Sequence, residues 1–163
     1  MAEIVVSLML SNDVVKTLET TASLFNNEGH EWVVFGGAAM ALHGYDVGNI
    51  NDIDIVVSAE TAAWLMGQLS LENQADTRSP RFQSDYVLRP NLGPTPVEVL
   101  ANFRIRAGGM WHWVRPTKLA SICVRQQTVF VPEVKELAEI FDLCGRAKDA
   151  VKSQMLMAGL SAK

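Results

Sequence analysis

Cysteine is scarce: two in 163 residues, at 123 and 144, are too few and too isolated for a disulfide framework or a zinc site. Cys123 and Cys144 are therefore expected to be small buried hydrophobes in a reducing, cytoplasmic setting. Long apolar runs are also missing. The segment Ile4-Val5-Val6-Ser7-Leu8-Met9-Leu10 is far shorter than a bilayer span, and no Lys or Arg precedes it. It is expected to be a packing segment or strand, or a surface buried against a second copy of the chain, and not a membrane span or a leader. Nor is there an excess of positive charge. Fourteen Lys and Arg against 18 Asp and Glu give a net charge of −4 and a pI near 5.3. That balance argues against a broad face for long nucleic acid, leaves room only for a local basic patch, and favours a small or protein substrate. No internal repeat, low-complexity tract or long linker divides the chain. A hydrophobic content of 48% suffices for one core, so residues 1–163 are expected to form a single domain.

What the chain does have is Asn51-Asp52-Ile53-Asp54-Ile55-Val56-Val57. Alternate residues of a strand share a face, so Asp52 and Asp54 present two carboxylates side by side while Ile53 and Ile55 enter the core. Two acids on one face repel, and hard divalent ions such as Mg²⁺ or Mn²⁺ relieve such repulsion through oxygen ligation. Upstream, Gly36-Gly37 lets backbone N–H groups approach an anion, which suggests a phosphate beside the metal. The plain structural alternatives are a solvated turn at the acids and a steric requirement at the glycines. A second apolar run, Val97-Glu98-Val99-Leu100, embeds one more acid, and Asp52, Asp54 and Glu98 on two strands would form one metal cage. Asp85 is a rival third ligand, but its neighbours Gln83 and Ser84 place it on a solvated face.

Periodicity supplies the frame. Ser11-Asn12-Asp13 offers N-cap candidates for a helix with Val14, Leu18, Ala22 and Phe25 on one face, ended by Glu28-Gly29. Trp32-Val33-Val34-Phe35 reads as a buried strand, followed by the glycine turn and a small helix through Leu42. Residues 59–69 form a helix packed through Ala62, Leu65, Met66 and Leu69. Residues 82–88 read as one strand, and the turn-rich stretch from Arg89 to Pro96 makes a hairpin with the Glu98 strand. Arg104, Arg106, Gly108-Gly109, Trp111 and Trp113 have two readings, a nucleobase-stacking cluster or an ordinary turn before a half-buried strand; the second is preferred. From Pro132 in its first turn a helix packs Val134, Leu137, Ile140, Phe141 and Cys144, with Glu133, Glu136 and Glu139 outward. Gly145 breaks it from a second helix bearing Arg146, Lys148 and Lys152.

Phe35-Gly36-Gly37, the Asp52-Ile53-Asp54 strand and Glu98, in that order, resemble the nucleotidyltransferase superfamily that includes DNA polymerase beta. The string from Phe35 to Gly44 looks like the version in small single-domain members, including those related to toxin–antitoxin and antibiotic-modifying enzymes. Gly145-Arg146-Ala147-Lys148-Asp149 is similar to their Arg-x-Lys-Asp segment, so the resemblance covers residues 32–156. It implies an α/β (α+β) fold: a mixed β-sheet core flanked by helices, with C-terminal helices. It also implies transfer of a nucleoside monophosphate from an NTP to a hydroxyl acceptor, with pyrophosphate released. Asp52, Asp54 and Glu98 would hold two Mg²⁺ or Mn²⁺ ions, and Gly36, Gly37, Arg146 and Lys148 would contact the nucleotide. The acceptor would be a small molecule, a tRNA end or a protein. Two departures stand out: Gly48 and Ile50 occupy positions where small members carry a basic residue and a Thr or Ser, and Lys152 lies where an acid is frequent. The bare Gly48 and Ile50 positions support an alternative, a non-catalytic or partner-dependent module of a toxin–antitoxin-like system; expected partners also include a second copy of the chain or another protein. A metal-dependent phosphohydrolase is a third reading, disfavoured by the Gly-Gly turn ahead of the acids.

Overall fold

The computed structural model describes residues 9–162. Most of the apolar 4–10 segment therefore lies outside the described residues, although Leu10 is buried in the core. Helix α1 (Asn12–Asn27) starts at Ser11, whose hydroxyl accepts from the Val14 N–H at 3.3 Å. Its inner face is Val14, Leu18, Ala22 and Phe25, as the spacing predicts, widened by Val15, Thr17 and Thr21. The two threonines satisfy their hydroxyls within the helix, Thr17 donating to the Asp13 carbonyl and Thr21 to the Thr17 carbonyl.

Strand β1 (Val33–Phe35) runs directly into the short helix α2 (Gly36–Leu42), and β2 (Ile53–Val57) follows. Helix α3 is Ala59–Leu69, capped by the Ser58 hydroxyl accepting from the Thr61 N–H. It buries Thr61, Ala62 and Leu65; Met66 is only half-buried and Leu69 is exposed, because the apolar stripe ends one turn before the helix does. The expected single strand over 82–88 is in fact two. Strand β3 (Phe82–Gln83) and β4 (Tyr86–Leu88) pair in different sheets, parted at Ser84 and Asp85. Strand β5 (Val97–Ala101) forms the expected hairpin with β4, with Leu88 opposite Val99.

Strands β6 (Arg104–Ala107) and β7 (Met110–Trp113) turn through Gly108 and Gly109, both at positive φ, so the glycine pair makes the turn of a hairpin. Strands β8 (Leu119–Val124) and β9 (Gln127–Pro132) form a further hairpin, packed beside β1 and against α1. Pro132 closes β9 and does not open a helix; Glu133 is the N-cap of α4 (Val134–Cys144). Glu136 is turned partly inward, its carboxylate accepting from the Thr117 and Lys118 N–H groups at 2.8 Å. Gly145, at φ +71°, ends α4, and α5 (Ala147–Ser161) packs back along it. Cys144 is buried but Cys123 is exposed, because it alternates with inward Ile122 and Val124 on β8.

The main sheet has the order β1-β2-β5-β4, with β2 and β5 parallel and the other pairs antiparallel. This is the mixed sheet of an α+β fold, flanked by helices and closed by α4 and α5. Among the described residues no helix is long and apolar enough to cross a membrane. Register at the sheet centre is pinned by the loop before β5. Pro96 accepts from the Ile53 N–H at 2.9 Å, and the Thr95 N–H donates to Thr17 Oγ1 at 3.0 Å. Gly93 sits so close to α1 that a Cβ would lie 2.9 Å from Thr17 Cα and 2.4 Å from its Oγ1. Backbone at that distance cannot give way. Gly93→Ala is therefore expected to lower stability by roughly 1–3 kcal/mol. Gly67→Ala, in the exposed part of α3 with nothing within 4 Å, is expected to raise it by about 0.5–1 kcal/mol. Urea unfolding of the two variants against wild type checks both signs.

Candidate functional site

Asp54 stands at the centre of the main sheet. In the ladder it lies opposite Phe35 on one side and Glu98 on the other. Neighbouring strands are about 4.8 Å apart, so the roots of Asp54 and Glu98 are adjacent on one face. Ile53 and Ile55 are wholly buried on the other, as the alternation requires. Asp52 precedes the strand and is exposed. Gly36 takes φ +70°, and a Cβ there would come within 3.3 Å of Asp54 Oδ2. The glycine is thus needed twice, for its backbone conformation and for the approach of the chain to this carboxylate. A Cβ on Gly37 would make only ordinary contact, 3.7 Å from Ile50 Cδ1. Phe35 provides no side-chain cap to α2, and Gly36, Gly37 and Ala38 line the space in front of Asp54.

That space is a cavity of about 480 Å³. Asp52, Asp54 and Glu98 line it, as do Arg146, Lys148 and Lys152 of the α4–α5 corner. Asn49, Ile50 and Asn51 contribute from the loop before β2. Tyr45 fixes that loop to α5: its hydroxyl donates to the Leu156 carbonyl, and the ring covers Gly159, where a Cβ would meet it. All seven residues singled out from the sequence therefore line one cavity. Lys152, Asn49 and Asn51 are additions. The signal for Lys152 was its spacing, four residues after Lys148 on one helical face.

The electrostatics are lopsided. Burial, reinforced by the charges of Asp52 and Glu98, pushes the Asp54 carboxyl up to about 7, against the opposing pull of Lys152 and Arg146. Arg146 is largely committed. Its Nε donates to Asp149 Oδ2 at 2.6 Å and its Nη2 to Oδ1 at 3.0 Å, while Asp149 is fully buried and also accepts from the Arg146 N–H. The same pairing holds the guanidinium above its usual pKa, and its carbon sits 5.1 Å from the Phe82 ring centre. Lys152 lies over the Phe141 ring at 5.4 Å. Burial and the nearby Asp149 raise the Cys144 thiol to about 11, so it is no thiolate nucleophile at neutral pH.

The rival ligand stays outside the cavity, as its solvated neighbours suggest, while one expected contact takes a different form. Asp85 is turned away, accepting from Arg104 at 3.0 Å and Asn102 at 2.8 Å, and does not line the cavity. Glu98 does line it, yet its Oε2 accepts from Arg89 Nε at 3.1 Å and lies 3.0 Å from Nη2. Arg89 in turn donates to Gln74. Among the described residues no three His, Cys, Asp or Glu side chains converge closely enough to hold a metal ion together. The donor set nonetheless fits a hard cation: its members are carboxylate oxygens, and the protonation tendency of Asp54 marks a charge deficit that a cation would fill.

No family model matches the chain, and no curated protein does. Solved structures do. The presumed nucleotidyltransferase TM1012 from Thermotoga maritima superposes with a TM-score of 0.73 at 20% identity, over 95% of this chain and 97% of that one. The lincosamide antibiotic adenylyltransferase LnuA, bound to lincomycin, gives 0.56 at 13% identity over 91% and 97%. ANT(2″)-Ia in complex with adenylyl-2″-tobramycin gives 0.54 at 13% identity over 96% and 90%. Central Asp-x-Asp strand, glycine-opened helix and paired C-terminal helices thus stand in a nucleotidyltransferase fold.

Proposed function

We propose that the chain is a metal-dependent nucleotidyltransferase that moves a nucleoside monophosphate from an NTP to a hydroxyl acceptor. One observation carries this reading: a carboxylate pushed up to about 7 by burial and by two acids lies in a cavity also lined by three cations, within this fold. Asp52 and Asp54 would hold Mg²⁺ or Mn²⁺, with Glu98 as third donor on exchange of its Arg89 partner. The ions would neutralise triphosphate charge and make the acceptor hydroxyl more acidic. Lys148 and Lys152 would bind phosphate oxygens, Arg146 contributing less because Asp149 already neutralises it. Gly36 and Gly37 would offer backbone N–H groups at the same place. The acceptor oxygen attacks the α-phosphorus, the bond from that phosphorus to pyrophosphate breaks, and Glu98 takes the hydroxyl proton. The antibiotic acceptors of LnuA and ANT(2″)-Ia favour a small hydroxylated molecule over a tRNA end or a protein.

A partner-dependent module is the second reading, and specific features favour it. Glu98 is held by Arg89, and α5, the helix carrying Lys148 and Lys152, exposes Val151, Met155, Met157 and Leu160. A partner subunit covering that helix would complete the site.

Calorimetry of each NTP with Mg²⁺ or Mn²⁺ separates the readings. Metal-dependent binding by the isolated chain, lost in an Asp52→Asn/Asp54→Asn variant, is expected for the enzyme; absence of binding would transfer the assignment to the module. With α-labelled nucleotide and an accepted hydroxyl compound, Asp54→Asn is expected to reduce transfer at least roughly a hundredfold.

Asp54 also fixes a pH dependence. Its folded pKa, about 7, lies above its unfolded value of 3.8, so the folded state keeps the proton longer. The associated stability is full below pH 3.8 and is lost as pH rises through 7, a change on the order of 4 kcal/mol. Asp54→Asn should therefore melt roughly 8–16 °C above metal-free wild type at alkaline pH and close to it only below about pH 4. Mg²⁺ should raise the wild-type melting temperature at alkaline pH and leave the variant nearly unmoved. Thermal melts across pH, with and without Mg²⁺, check the sign; a variant less stable than wild type at alkaline pH would contradict it.

A further inference from the structure

The acidity of the chain is not evenly spread. Residues 99–132 contain no Asp or Glu, yet include Arg104, Arg106, Arg115, Lys118 and Arg125. The remaining nine Lys and Arg are set against all 18 acids, so a net charge of −4 conceals a cationic segment. Three of its arginines converge on the β6–β7 hairpin. The register places Arg104 opposite Trp113 and Arg106 opposite Trp111. Alternate residues share a face, so these four side chains occupy one side of the ribbon, and Ile105 and His112 the other. Ile105 is wholly buried, which makes the Arg and Trp side the outward one.

On that face the guanidinium carbons of Arg104 and Arg115 lie 5.5 and 5.0 Å from the Trp113 ring centre, and that of Arg106 lies 5.8 Å from Trp111. Trp113 is 48% exposed, on the edge strand of its sheet. Arg104 is neutralised by Asp85 at 3.0 Å. Among the described residues neither Arg106 nor Arg115 joins an ion pair. An exposed indole flanked by guanidinium groups that no carboxylate engages combines an aromatic ring with free positive charge on one face. It offers flat π-surface for stacking and charge for phosphate, set opposite each other across the two strands.

We infer that the outward face of the β6–β7 hairpin binds single-stranded nucleic acid, Trp113 and Trp111 stacking bases and Arg106 and Arg115 contacting phosphates. A single strand fits better than a duplex, whose base faces are already stacked and closed to an indole. It also fits better than an acidic peptide, which would use the guanidinium groups but leave the rings idle. The patch is small, in keeping with an acidic chain, so its affinity is moderate and does not extend to long duplexes. The inference does not rest on the catalytic reading, because the hairpin residues do not line the Asp54 cavity.

The test is fluorescence anisotropy with labelled oligo(U) and oligo(dT) of about 12 nucleotides, with an oligoglutamate peptide of equal charge as comparator. Wild type is expected to bind at least one oligonucleotide in the micromolar range, weakening about sevenfold between about 50 and 200 mM salt if two phosphates are contacted. Trp113→Ala should weaken binding about tenfold, and Arg106→Glu, at an exposed position that leaves the fold intact, by a similar factor. Asp54→Asn should bind as wild type does. Binding of oligo(U) alone would identify RNA as the partner, of oligo(dT) alone DNA, and of both a backbone-indifferent stacking face. Three results would overturn the inference: no binding of either strand at about 100 μM protein in low salt, unchanged affinity in both hairpin variants, or equal binding of the oligoglutamate peptide.

Discussion

A carboxylate placed where it repels its neighbours organises much of this molecule. Asp54 sits on the central strand with Glu98 beside it in register and Asp52 two residues before it, and its partial burial makes their mutual repulsion expensive. Each element around it answers that constraint. Gly36 lets the β1–α2 turn pass against Oδ2 without a side chain. The Pro96 and Thr95 contacts, anchored on Thr17 and the bare Gly93, hold β5 in the register that brings Glu98 alongside. The α4–α5 corner delivers the opposing cations. A fold built only for stability would have put an apolar residue at 54, since the strand is otherwise uniformly buried from Ile53 to Val57.

The cations differ in how free they are. Arg146 and the fully buried Asp149 form a closed, doubly bonded pair that caps α5, so their main work is to fix the helix start. With that helix fixed, Lys148 and Lys152 project from the same face toward the cavity, and Lys152 is near enough to pull the Asp54 carboxyl down. The charge on Arg146 thus serves position, and the two lysines supply field. Arg89 plays the mirror role on the acidic side, taking up part of the charge of Glu98.

Much of this was legible where local chemistry and tertiary demand agree. Period-two alternation placed Ile53 and Ile55 inward, the helical period placed Leu18 and Phe25, and glycines at 36 and 145 marked two junctions that do require positive φ. Legibility failed where tertiary context overrode the local pattern. Ser84 and Asp85 look like strand residues in sequence, but the chain changes sheets there. The β8–β9 turn is made by Arg125 and Gln126 at φ 46° and 70°, without the glycine or asparagine that announces such a turn, so the hairpin was not anticipated. Pro132 fits a helix start and a strand end equally well. Cys123 faces outward because of alternation on a strand that was itself missed. The Arg89–Glu98 pair joins residues on either side of a turn-rich loop, and nothing in the spacing signals it.

Gly48 and Ile50 acquire a physical meaning from this arrangement. Gly48 takes φ +74° in a turn closed by its N–H donating to Asp46 Oδ1 at 3.0 Å, so the loop spends this position on shape. Ile50 reaches toward Gly37 and lines the cavity with an apolar side chain. Neither brings a polar or charged side chain to the cavity. The cationic groups that line the cavity come instead from the α4–α5 corner: Arg146, Lys148 and Lys152. A triphosphate entering this cavity would therefore be drawn toward α5 and away from the loop before β2.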